Sequence, residues 1–212
     1  MKFKIKFYFL WLSLICIIMF ILQNMPGIPG FTETFVLNDS AVFGFQIWRF
    51  VTSIFLHGSM IHLIYNLFAL LLFGFILEKL IGSKKFLFVF FASGIVANII
   101  AVNFYSSSLG ASGAIYGILG VIVIIRPMMM VWAFGLMMPM FIAGILWVVG
   151  DVMGVFGFGK EGVGRIAHLG GIVGGLLFGL WLRFGLKEKV GGEEKIEVPE
   201  DYIDEWEGMY MK

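Results

Sequence analysis

Long apolar runs separated by short polar breaks make up most of this chain. They cover 7–22, 59–77, 86–104, 111–125, 128–149 and 166–186. A helix needs roughly 20 apolar residues to cross hydrocarbon, and these runs are somewhat short to adequate. The fourth is the shortest. Arg126-Pro127 combines charge with a residue that cannot continue a helix, so it marks a tight turn before the fifth run. The pattern predicts an all-α membrane protein with six spans over residues 1–186.

Composition removes the soluble alternative. Of 212 residues, 60% are hydrophobic and 14% charged, against about 45–50% and about 25% in a soluble domain. The formal net charge of +1 gives no reason to expect a nucleic-acid partner. Cys16 is the one cysteine and lies within an apolar run, which leaves neither a disulfide framework nor a cysteine-rich metal site. No cofactor and no metal are expected; the lipid bilayer is.

Lysine and arginine orient the spans. With the N-terminus inside, the inner segments carry Lys2, Lys4, Lys6, Lys79, Lys84, Lys85, Arg126, Arg183, Lys187, Lys189, Lys195 and Lys212. The outer ones carry only Arg49, Lys160 and Arg165. That bias places both termini in the cytoplasm. The residues after the first run, Gln23-Asn24-Met25-Pro26-Gly27, lack a small-x-small cleavage pattern, so the run is read as a retained helix.

Residues 41–56 are mostly apolar, yet Arg49 sits at their middle. A central arginine costs about 2.5–3.5 kcal/mol on insertion scales, and a span here would invert everything after it. The stretch is therefore expected within an outer loop, 23–58, that lies in or dips into the outer leaflet. Trp48 would stand at the interface, with Arg49 reaching headgroups or backbone carbonyls. Residues 187–212 carry nine acidic residues against four lysines and are expected to be a solvated cytoplasmic tail.

Polar side chains within spans are few, and they fall at one level. Spans two, four and six run in the same direction. His62, Ser112 and His168 each lie within the first turn or two of their span, near the outer surface. His62 and Asn66 are four apart and share a helix face, as do Ser112 and Tyr116. His57 precedes its span, is expected to face elsewhere, and supports the outer loop. Gly113 and Gly117 in span four, and Gly171, Gly175 and Gly179 in span six, have the small-xxx-small spacing that lets helix backbones pack closely in lipid. If those faces meet, Ser112 and His168 come within hydrogen-bond reach.

A serine so placed has the means to act as a nucleophile. Gly110-Ala111 and Gly113 keep its surroundings open. The helix N-terminus favours a developing oxyanion, His62 and Asn66 offer further donors, and His168 offers a base. Glu78, at the inner end of span two, and Asp151, just after span five, are not placed at the Ser112 level. A Ser–His dyad is expected, with Tyr116 stacked on the imidazole. Taken singly, each signal has a plainer explanation: a serine bonded one turn back, an interfacial histidine, or glycines that only pack. A metal held by His62 and Asn66 is disfavoured because asparagine is a poor ligand. The agreement of all of them in level and facing is what carries weight.

At these residues the chain resembles the rhomboid family of intramembrane serine proteases. The matching pieces are Trp48-Arg49, His57-x4-His62-x3-Asn66, Gly110-Ala111-Ser112-Gly113 with Tyr116, and Ala167-His168-x2-Gly171-x3-Gly175, in the family's order. The resemblance implies a six-helix rhomboid-like bundle with Ser112 as nucleophile and His168 as general base. The oxyanion hole would be the Ser112 N–H with His62 and Asn66. It further implies a glycine-rich cap loop over 150–164 and a water-filled site open to the outer side. Substrates would be single-span membrane proteins cut in or near the transmembrane segment. A multi-pass protein of a prokaryotic plasma membrane fits this reading. The alternative is a non-catalytic rhomboid-like binder or chaperone of membrane helices.

Overall fold

A computed structural model describes residues 5–158 and 164–190, with side chains up to 184. The first helix, α1 (Tyr8–Gln23), leads into a long loop holding three short helices, α2 (Phe31–Phe35), α3 (Ser40–Phe43) and α4 (Arg49–Thr52), and a 3-10 turn, Ser53–Phe55. One long rod follows, made of α5 (Met60–Ala69), a π-helical segment (Leu70–Gly74) and α6 (Phe75–Ile81). Then come α7 (Ser83–Ala101), α8 (Ser112–Ile125), a hairpin of β1 (Met130–Ala133) and β2 (Leu136–Pro139), α9 (Met140–Val155) and α10 (Arg165–Val190). The rod Met60–Ile81, α7 and α10 are long and apolar enough to cross a membrane, while α1, α8 and α9 are shorter apolar helices.

The central element is α8. Its 14 residues span only ~21 Å at 1.5 Å per residue, and most of them are buried. On one side it meets α10 backbone to backbone. A Cβ on Gly171 would strike the Gly113 carbonyl, and one on Gly175 the Gly117 carbonyl. A Cβ on Gly120 would come 2.6 Å from the Ile172 oxygen. On its other side, Gly113 lies against Ala97 and Gly117 against Ser93, both of α7. The glycine ladders read from the sequence therefore face each other.

Buried polar groups tie the remaining elements together. Glu78 is fully buried and accepts the backbone N–H groups of Lys6 (3.3 Å), Tyr8 (3.1 Å) and Phe9 (3.1 Å) and the Ser83 hydroxyl (2.6 Å). These donors at the start of α1 have no intrahelical acceptor, so a carboxylate from α6 caps α1 from across the bundle. In the loop after α1, Arg49 is buried and donates to the carbonyls of Glu33 and Val36 and to Gln46 Oε1, each at 2.6 Å. Asn98 of α7 holds the same loop through Phe50 O (2.8 Å) and Ser53 Oγ (3.0 Å). Residues 41–56 thus form no continuous helix, and the arginine reaches backbone carbonyls. Trp48 remains exposed.

Two expectations are corrected. The run 128–149 is not one helix: residues 130–139 form an antiparallel hairpin in which Met130 pairs with Pro139 and Ala133 with Leu136. Its turn has positive φ at both Phe134 (53°) and Gly135 (78°), the conformation that matches strand twist in a two-residue hairpin. Uniformly apolar sequence cannot distinguish this hairpin from a helix, and Pro139, without an N–H, fits the position before the first helical turn. The fifth helix consequently runs on to Val155, so 150–155 belongs to α9 and not to a cap loop. Residues 159–163 of that loop and 191–212 of the acidic tail lie outside the described residues.

Two stability predictions follow from these contacts. Gly175→Ala should lower stability by about 1–3 kcal/mol, whereas Gly174→Ala, whose Cβ finds only Val96 at 3.8 Å, should leave it within ~0.5 kcal/mol. Thermal unfolding of the two variants in detergent makes the comparison. Glu78→Ala should cost about 1–3 kcal/mol by stranding buried donors, and amide exchange in the first turn of α1 should speed up.

Candidate active site

The loop before α8 is held from two sides. Leu37 and Ser108 exchange backbone hydrogen bonds of 3.1 and 2.9 Å, and the Gly110 N–H donates to Ser53 O at 2.9 Å. Gly110 has a φ of 122°, which only glycine adopts without strain. This turn delivers Ser112 as the first residue of α8, so its backbone N–H and the next ones point out of the helix end without intrahelical acceptors.

Ser112 meets His168, near the start of α10. The Ser112 Oγ lies 2.8 Å from His168 Nε2. The Tyr116 ring is stacked on the imidazole, with centroids 4.3 Å apart and planes 13° from parallel. The close helix approach foreseen from the glycines therefore brings hydroxyl and imidazole together, and the tyrosine one turn on covers the ring.

His62 stands on the other side of the turn. A Cβ on Gly110 would lie 2.8 Å from His62 Cε1, 2.9 Å from its Nε2 and 3.9 Å from Ser112 Oγ. The missing side chain at Gly110 is what lets the His62 ring and the serine hydroxyl flank one open position. Asn66, one turn further, is buried and donates to His62 O at 2.9 Å, which leaves the second N–H of its amide. Ser59 caps α5 by accepting the His62 N–H at 3.2 Å.

His57 departs from expectation. It does brace the loop, since its N–H donates to Gln23 Oε1 (2.9 Å) and its Nδ1 bonds Phe55 O (3.2 Å). Its ring, however, faces His62 edge-on at 5.2 Å. Helical spacing from His62 does not apply, because residue 57 precedes the first turn of α5. Burial, and secondarily His62, push its pKa down to about 4; its Nε2 is buried with no hydrogen-bond partner among the described residues. Next to it lies a cleft of about 640 Å³ lined by Gln23, Asn24, Thr32, His57, Ser59 and Leu109, among others; Ser112 and His168 are not in that lining.

The acid that sequence reasoning left away from the site is present. Asp151, in the last turn of α9, sets Oδ2 3.2 Å and Oδ1 3.4 Å from His168 Nδ1. The hairpin is responsible: by moving α9 towards the C-terminus it carries residue 151 into the helix and against α10. The turn residues Phe134-Gly135 and Pro139 were the signals available for this shift. Among the described residues, no cluster of three or more His, Cys, Asp or Glu side chains is arranged to hold a metal.

The family model described as "Rhomboid domain" matches residues 44–184. The chain is 32% identical over 180 residues to the rhomboid protease GluP of Bacillus subtilis (strain 168), covering 81% of this chain and 34% of that protein. It is 36% identical over 118 residues to rhomboid-like protease 3 of Toxoplasma gondii, covering 52% and 45%. With the rhomboid protease GlpG of Serratia proteamaculans (strain 568) it shares 29% over 178 residues, covering 79% and 59%. The chain thus spans between a third and three fifths of the length of these relatives. Its apolar helices mark it as an integral membrane protein, and with two thirds of its length matched by the family model, the chain belongs to the rhomboid family.

Proposed function

We propose that this chain is an intramembrane serine protease that hydrolyses peptide bonds in or near the transmembrane segments of other membrane proteins. The observation that carries this reading is the 2.8 Å contact between Ser112 Oγ and His168 Nε2. The names of the relatives support it. In this reading the Ser112 hydroxyl adds to the scissile carbonyl carbon while its proton passes to His168 Nε2. The oxyanion so formed is met by the Ser112 N–H, His62 and the remaining Asn66 N–H, donors of a kind worth about 2.7–4 kcal/mol each in a known case. Collapse breaks the C–N bond, and His168 returns the proton to the leaving amine. The Ser112 ester that remains is then cleaved by a water that His168 deprotonates.

A peptide bond in a substrate helix is shielded by its own hydrogen bonds, so the substrate must unwind locally, and water must reach a region that hydrocarbon otherwise keeps dry. We infer six spans, α1, the rod Met60–Ile81, α7, α8, α9 and α10, with both termini cytoplasmic and Ser112 near the outer surface of a prokaryotic plasma membrane. The exposed Phe43, Phe45, Ile47 and Trp48 fit an outer loop resting on the lipid.

A fluorophosphonate probe should label purified wild type. Ser112→Ala should abolish labelling and lower cleavage of single-span test proteins by at least ~10³-fold, and His168→Ala should behave alike. Cleavage retained in Ser112→Ala overturns the assignment. Binding of test helices without turnover in wild type would instead identify a non-catalytic binder.

A further inference from the structure

The mechanism above uses Ser112, His168, His62 and Asn66, and it leaves the buried Asp151 without a role. Asp151 is 7% exposed, on an apolar helix, and its carboxylate faces an imidazole. Such a group is costly in a membrane protein unless it is paired, so its partners define what it does.

We propose that Asp151 is a positioning residue: its carboxylate takes the Nδ1–H of His168, fixing the tautomer whose Nε2 lone pair faces the Ser112 hydroxyl. This deepens the protease reading and rests on it. A carboxylate only accepts, so the contacts of 3.2 and 3.4 Å to Nδ1 require the proton on that nitrogen. Nε2 is then the acceptor for the serine O–H at 2.8 Å. The opposite tautomer would set a lone pair against the carboxylate and an N–H against the hydroxyl, leaving the serine proton no base.

Two neighbours hold the arrangement. Tyr116 lies flat on the imidazole, which blocks rotation of the ring out of the Ser112–Asp151 line. Arg165, three residues before His168, lies across Gly154 of α9, where any Cβ would collide with its guanidinium. It thus sets a positive charge on the side of α9 that carries Asp151. The groups facing His168 are then Asp151 from α9, Ser112 and Tyr116 from α8, and His62 from α5, with Arg165 on its own helix. Among these, Asp151 is the acidic side chain, and it is placed to balance the imidazolium formed when Ser112 gives up its proton.

A plain packing contact between α9 and α10 would account for the same distances, so the test must read the imidazole itself. In 15N-histidine spectra of detergent-solubilised protein at mildly alkaline pH, wild-type His168 should be protonated on Nδ1 and bare on Nε2. Asp151→Ala should lose that preference. Asp151→Asn should lower kcat by about 10²–10⁴-fold with KM and unfolding temperature unchanged, and Asp151→Glu should recover part of the rate. A wild-type His168 carrying its proton on Nε2, or an Asp151→Asn variant with wild-type kcat, overturns the proposal. The two readings fail separately. Ser112-independent cleavage sinks the protease assignment, while the nitrogen spectra still decide whether Asp151 sets the tautomer.

Discussion

A hydroxyl on one helix and an imidazole on the next meet at hydrogen-bond distance only if nothing holds their backbones apart. Side chains ordinarily keep helix axes 8–10 Å from one another. At the contact of α8 with α10 they are missing: Gly113 and Gly117 present carbonyls to Gly171 and Gly175, and Gly120 meets Ile172 and Leu176. The short α8 is pressed from its other side by Ala97 and Ser93 of α7. Ser112 stands at the N-terminal end of α8, at one end of this glycine seam, and the 2.8 Å distance to His168 is a product of the seam beside it.

The polar side chains obey a second constraint, since nothing in hydrocarbon can satisfy a donor or acceptor left alone. Glu78 takes up the free N–H groups of α1, Arg49 binds carbonyls of the loop after α1, and Asn98 ties that loop to α7. In each case a buried polar group from one element completes the hydrogen bonding of another. Asp151 follows the same rule, with the difference that its partner is the imidazole of the candidate site.

Much of this was legible in the sequence because it rests on spacing. The helical intervals His62–Asn66 and Ser112–Tyr116, the glycine ladders and the common level of three span openings depend on periodicity and direction alone, and the structure brings those residues together. That residues 41–56 form no continuous helix was legible from the cost of Arg49 at their middle. What was missed depends on a turn. Residues 128–149 are apolar whether helical or extended, so only Phe134-Gly135 and Pro139 betray the hairpin, and the error carried Asp151 out of the last turn of α9. The facing of His57 was not legible for a related reason: it precedes α5, so helical spacing from His62 does not set where its ring points.

The π-helical segment Leu70–Gly74 has an angular consequence. Asn66 and Glu78 are twelve positions apart, and on an uninterrupted helix of 3.6 residues per turn they would point about 120° away from each other. The wider turn between them takes back part of that rotation, and both side chains end up buried. One rod can therefore turn the Asn66 amide near one end and the Glu78 carboxylate near the other towards the same interior. Its opposite flank, Ile61, Ile64, Tyr65, Phe68, Leu72 and Phe75, stays exposed as a greasy stripe along its length.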